Sequence, residues 1–157
     1  MNLTLTRFLE SDLNHLDVWY NSIQAEQYMS RVAPRQFKRG SNVKNDLWDW
    51  YIIKHHHQPI GTVCLEKREA GSDTAILLIL LGSRDLFDQG VGTKAILLAI
   101  KTSQKTLGFN KIQLNVRKSN LRAIACYQKC GFSVVREGVK INDEHEEIPF
   151  YRMQRDV

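Results

Sequence analysis

The sequence predicts a mixed α/β (α+β) fold, with helices flanking a largely antiparallel sheet. Three observations predict it. Strand-like runs joined by short turns dominate the first half of the chain. The most apolar run, Ala75 to Leu81, has the length of a buried strand, not of a helix. After it the pattern changes to helix, strand, helix, strand, strand.

Leu3, Leu5 and Phe8 suggest a first strand. Ser11-Asp12 offers a helix N-cap, followed at helical spacing by Leu13, Leu16 and Trp19. Ile23 to Tyr28 is expected as a second short helix. Arg31 to Asn45 is polar, carries Pro34 and Gly40, and reads as a mobile connection. Leu47 to Lys54 and Ile60 to Lys67 are strand-like, joined as a hairpin through His55-His56-His57-Gln58-Pro59. Ala70 to Asp73 is a second turn, and Thr74 to Leu81 the central strand. Gly92 to Leu107 is expected as a helix closed by Gly108. Lys111 to Arg117 alternates, with Ile112, Leu114 and Val116 on one face. Asn120 to Cys130 is a helix with Ser119 or Asn120 as N-cap and Gly131 beyond its end. Phe132 to Arg136 and Ile148 to Met153 are closing strands.

A chain of 157 residues suits one domain, expected over 1–157. No apolar run approaches the roughly 20 residues that span a bilayer, and the N-terminus lacks a signal-peptide pattern. Cys64, Cys126 and Cys130 form no disulfide pattern, which fits a reducing, cytoplasmic compartment and buried thiols. The net charge of +5 is uneven. Gln89 to Arg136 holds nine Lys and Arg and no Asp or Glu, leaving −4 for the remainder. Such a block favours an anionic partner or forms a solvated basic face.

Inside the block, Gln89-Gly90-Val91-Gly92-Thr93 follows the apolar strand and opens a helix. The first N–H groups of a helix lack intrahelical acceptors, and its dipole favours an anion there. Glycine lets a phosphate approach the backbone, and Thr93 adds a hydroxyl. The loop formally satisfies a dinucleotide pattern, but the acid that would hold a ribose about 20 positions on is missing from Asn110 to Asn115. The Gly-Lys-Ser/Thr ending of a P-loop is also missing. Downstream, Asn120, Ala123 and Tyr127 share one helix face.

With these residues the sequence resembles the GNAT superfamily of acyl-CoA N-acyltransferases. Phe87-Asp88-Gln89-Gly90-Val91-Gly92 resembles the family's Q/R-x-x-G-x-G/A loop. Asn120, Ala123, Tyr127, Gly131 and Phe132 match its Asn-x-x-Ala-x-x-x-Tyr-x-x-x-Gly-Phe helix without gaps. The aromatic Phe87 in place of Gln or Arg resembles the branch of ribosomal-protein N-terminal acetyltransferases. Ser119 to Ile124 with Cys126-Tyr127 is similar to aminoglycoside 6′-N-acetyltransferases. The resemblance implies a GNAT-like sheet and transfer of an acetyl group from acetyl-CoA to a primary amine of a small molecule or protein N-terminus. It implies that main-chain groups of Leu80 and Leu81 pair with the pantetheine arm. The amides of Asp88, Gln89, Gly90, Val91, Gly92 and Thr93 would hold the pyrophosphate. Asn120 and Ala123 would border the arm, and Tyr127 would be the catalytic acid that protonates the leaving thiolate.

One family feature is missing. Ile76 stands where many relatives carry a strand glutamate, which leaves Glu66, Asp73 or water as the base. Asn115 is a candidate to orient substrate, and the acidic stretch Asn142 to Glu147 to attract a cationic amine. His55 and His57 make an exposed turn a better reading than a metal site, and no metal is expected. An acyl-CoA-binding sensor without catalysis is the alternative reading. Nucleic acid is an unfavoured partner, since no aromatic-rich strand or recognition helix accompanies the charge. Monomer and homodimer both remain open.

Overall fold

The computed structural model describes residues 2–157. One seven-stranded sheet runs in the order β1-β2-β3-β4-β5-β7-β6. The strands are β1 (Leu3–Arg7), β2 (Trp48–His55), β3 (Gln58–Glu66), β4 (Thr74–Leu81), β5 (Lys111–Arg117), β6 (Ser133–Ile141) and β7 (Glu147–Asp156). The helices are α1 (Leu13–Ser22), α2 (Val91–Thr106) and α3 (Leu121–Lys129). All neighbouring strands are antiparallel except β4 and β5.

Period-two alternation in β2 builds both faces of the sheet. Tyr51 and Ile53 point into a core shared with α2, whose Ala95, Ile96, Ala99 and Ile100 form its buried stripe. Each isoleucine buried there contributes about 1.5–3 kcal/mol. Trp48, Trp50 and Ile52 point the other way, onto Phe8 and α1 through Leu16 and Trp19. Two buried polar arrangements fix the layers. Trp50 Nε1 donates to Thr62 Oγ1 at 2.8 Å, and that hydroxyl donates to Tyr51 O at 2.8 Å. The buried Asp49 carboxylate accepts from Arg7 Nη1 at 2.7 Å and Thr106 Oγ1 at 2.5 Å, tying β1 and α2 to β2.

Several sequence expectations need correction. Ile23 to Tyr28 is not a helix of its own but contains a single 3-10 turn, Ala25–Gln27, entered through Gln24 in the left-handed region. With so few residues, nucleation outweighs propagation. Arg31 to Asn45 is irregular, yet it is pinned rather than loose. Phe37 packs edge-on against Trp48 and Trp50, and Trp48 Nε1 donates to Val43 O at 2.9 Å. The strand pair β6–β7 is longer than expected, because its outer half is an exposed ladder that hydrophobic patterning does not mark. The hairpin turn narrows to His56-His57, both with positive φ, the twist a two-residue connection demands.

Candidate active site

The site forms where β4 and β5 part. Their parallel ladder pairs Thr74 with Lys111, Ala75 with Ile112 and Ile76 with Gln113, and then stops. β4 continues to Leu81 while staying paired with β3. Gly82 donates its N–H to Ile60 O at 2.8 Å. By antiparallel alternation, Leu80 and Leu78 also turn their main-chain groups to β3, while Ile79 and Leu81 turn theirs to the gap. Leu81 thus faces the cleft. Leu80 does not: its side chain is buried on the opposite face with Trp19 and Trp50. Of the two leucines expected to pair with the pantetheine arm, Leu81 is the one whose main-chain groups turn to the gap.

The gap opens into a cleft of about 200 Å³ beneath the start of α2. Gly90 caps α2 in the left-handed conformation, at φ 79°. Lys94 is the first residue to bond back, donating to Gly90 O at 3.1 Å. The N–H groups of Val91, Gly92 and Thr93 therefore lack intrahelical acceptors. Gly92 serves a second purpose. A Cβ there would lie 3.2 Å from Cys126 Sγ, so the missing side chain lets α2 and α3 approach. Asp88, also with positive φ, Gly90, Val91, Gly92 and Thr93 all line the cleft, whereas the Gln89 side chain is exposed and does not.

The opposite wall is α3. Asn120 is its N-cap, and Asn120 Oδ1 accepts from Ala123 N at 3.3 Å. Asn120, Ala123 and Tyr127 reach the cleft together, as their spacing predicts. Tyr127 packs edge-on against Phe132 at 6.1 Å. Burial pushes its phenol up, with added repulsion from Cys126 and Cys130, so it keeps its proton at neutral pH.

The expected bases lie elsewhere. Glu66 is buried outside the cleft, with Arg31 Nη1 2.5 Å from Oε1 and Arg35 N donating to Oε2 at 2.7 Å. It anchors the Arg31 to Asn45 segment. Asp73 sits at the far end of β4, where its side chain accepts from Thr74 Oγ1 at 3.0 Å and its carbonyl from Asn110 N. Asn115 is exposed and accepts from Arg152 Nε at 3.1 Å. Asn142 to Glu147 is a turn in which Asn142 Oδ1 accepts from the N–H groups of Glu144 and Glu146. Among the described cleft-lining residues, Asp88 is the one carboxylate. No three His, Cys, Asp or Glu side chains converge among the described residues.

Three further contributors to the cleft lie outside the residues expected from the motifs. Ile23, Tyr28 and Met29 close one side of the cleft, from a segment about 60 positions before the glycine loop. Arg122 enters from α3; the acid-free block was its one signal. Cys126, expected buried, is half-exposed and lines the cleft, while Cys64 and Cys130 are buried. A hydrogen bond from Cys130, and weaker help from Thr93, hold the Cys126 thiol down to about 6. Cys130 is shifted up correspondingly.

A splayed parallel pair, amides without intrahelical acceptors at a helix start and a protonated phenol opposite fit the acyl-CoA-dependent transferase that the sequence resembles. The acetyltransferase (GNAT) family model matches residues 13–132, and the chain belongs to that family. It is an acetyl-CoA-dependent N-acetyltransferase. The uncharacterized N-acetyltransferase YvbK of Bacillus subtilis (strain 168) is 26% identical over 113 residues, 60% of this chain and 72% of that protein. Among solved structures, spermidine N-acetyltransferase from Vibrio cholerae in complex with CoA and spermine aligns with TM-score 0.79 and 18% identity, over 98% of this chain and 95% of that one. Aminoglycoside acetyltransferase AAC(6')-Ib in complex with coenzyme A aligns with TM-score 0.74 and 23% identity, over 99% and 95%. At these identities the structures establish the shared fold. Among the described residues, no helix is long and apolar enough to cross a membrane.

Proposed function

We propose that the cleft between β4 and β5 binds acetyl-CoA, and that the chain, acting as one domain, transfers the acetyl group to a primary amine of a small molecule or a protein N-terminus. The observation that carries this is the end of the β4–β5 ladder at Ile76–Gln113, facing Asn120 and Tyr127 across the gap. The site fits the cosubstrate: Leu81 offers main-chain groups to an extended arm, and Val91 to Thr93 offer unpaired amides to a pyrophosphate. When bound, acetyl-CoA supplies an activated acyl group and a thiolate leaving group. Asp88 and Gly90 shape the loop, while Gln89 contributes main chain at most. Asn120 and Ala123 border the arm, and Tyr127 donates its phenolic proton to the leaving sulfur.

The amine attacks directly, so no covalent enzyme intermediate is needed. With Glu66 and Asp73 both outside the cleft, solvent water takes the amine proton. The three free thiols support a reducing, cytoplasmic setting. Release of free CoA thiol from acetyl-CoA across polyamines, aminoglycosides, amino acids and N-terminal peptides tests the reading. Acceptor-dependent release with at least one class is expected; tight cofactor binding without any release would favour an acyl-CoA sensor instead.

A further inference from the structure

Arg122 crosses the cleft. Its side chain leaves the first turn of α3, and its guanidinium carbon lies 3.4 Å from the Phe87 ring centroid and 5.3 Å from that of Tyr28. Phe87 belongs to the loop between β4 and α2, and Tyr28 to the segment after α1. The two rings meet edge to face, with centroids 6.4 Å apart and planes at 89°. Three separate elements thus converge on one cation. Both distances fall within the ~6 Å over which an aromatic face attracts a cation. The segment bearing Tyr28 is itself held in place: Arg84 Nη2 donates to Ile23 O at 3.1 Å, and Arg117 Nη1 to Glu26 O at 2.8 Å.

Arg122 forms none of the ion pairs among the described residues. It stands one helical turn before Cys126, whose sulfur abuts the Gly92 position. Its guanidinium therefore has a choice between two aromatic faces and any anion held at the start of α2. A charge-assisted bond to phosphate is the stronger of the two. Resting on the acetyl-CoA reading above, we propose that Phe87 and Tyr28 form a seat for an alkylammonium group of a cationic acceptor, that Arg122 fills the seat while the cosubstrate is absent, and that the phosphates draw Arg122 away and open it.

The electrostatics act in the same direction. Arg122 and Lys129 outnumber Asp88 along the cleft, and the net positive charge repels a second cation. Bound phosphates reverse that sign. Acetyl-CoA then raises the affinity for the cationic group, and by linkage that group raises the affinity for acetyl-CoA by the same factor.

The test is calorimetric titration with tetraethylammonium as the probe, with and without saturating CoA. Wild type is expected to bind the probe roughly tenfold more tightly with CoA present. Arg122→Ala is expected to bind the probe without CoA as tightly as wild type does with it. Phe87→Leu and Tyr28→Leu are expected to lose the probe, while Tyr28→Phe retains it; thermal melts confirm that each variant is folded. A probe affinity indifferent to CoA in wild type, or no probe binding by Arg122→Ala, overturns the proposal. Failure of wild type to bind CoA at all would instead contradict the acetyl-CoA reading, and the cofactor-free Arg122→Ala titration still decides the seat.

Discussion

Ile76 and Gln113 are the last residues paired across the parallel β4–β5 ladder, and beyond them β4 runs on to line the cleft with Ile79 and Leu81. Ile76, which stands where the sequence resemblance expects a strand glutamate, is apolar and is not among the residues that line the cleft. Its neighbour across β3, Glu66, is committed to Arg31 and to the amide of Arg35. Neither strand position brings a carboxylate to the cleft, whose one carboxylate among the described lining residues is Asp88 of the glycine loop.

Tyr127→Phe should lower kcat about 100-fold, the lower end of the usual contribution of a general acid. The dissociation constant for acetyl-CoA should stay unchanged, since the ring and its packing on Phe132 are kept. Stopped-flow turnover paired with calorimetry separates the two. An unchanged kcat removes Tyr127 from the chemistry.

With no strand carboxylate in the cleft, kcat/KM for the acceptor should rise tenfold per pH unit up to the acceptor's own amine pKa. Burial holds the Tyr127 phenol above its ordinary value, so deprotonation of Tyr127 should not cut activity on the alkaline side. Two acceptors whose amine pKa values differ by about one unit should give profiles displaced by that difference. An identical inflection for both would reveal a protein base.

Glu66→Gln should leave that profile in place and instead weaken the fold by about 2–4 kcal/mol, because it leaves Arg31 without its buried partner. Urea unfolding measures the loss. Thr62→Val should cost about 1–3 kcal/mol by orphaning the buried Trp50 indole N–H.

Cys126 should alkylate selectively. Its pKa is lowered to about 6, so the thiolate prevails above that pH and is lost below it. The iodoacetamide rate should fall to half near pH 6 and be negligible for buried Cys64, whose thiol burial pushes up. Acetyl-CoA should protect Cys126, which lies against Gly92 and Thr93. Mass spectrometry of the labelled peptides reads both effects.

The local parts of the site were legible in the sequence. β4 and β5 have the expected bounds, and α2 begins one residue before its expected start. The Asn120, Ala123 and Tyr127 face follows from helical spacing alone. What the sequence hid depends on tertiary placement. Leu80 and Leu81 are indistinguishable by composition, and only the register against β3 turns one toward the gap. Glu66 looked available because its partner, Arg31, is 35 positions away in an irregular segment. Tyr28 and Phe87 meet through a contact between distant loops that no periodicity encodes. Cys126 lies within α3 beside Gly92, whereas Cys130 is the C-cap of that helix and is buried.

The placement of the cosubstrate between the parted strands is tested most directly by amide chemical-shift mapping in a titration with CoA. With CoA in the gap, the largest shifts are expected at Leu81, at Asp88 to Thr93, and at Asn120 to Tyr127, with little change at Leu3 to Arg7 or in β6. Shifts centred away from the β4–β5 gap, with the Val91 to Thr93 amides unmoved, would contradict it.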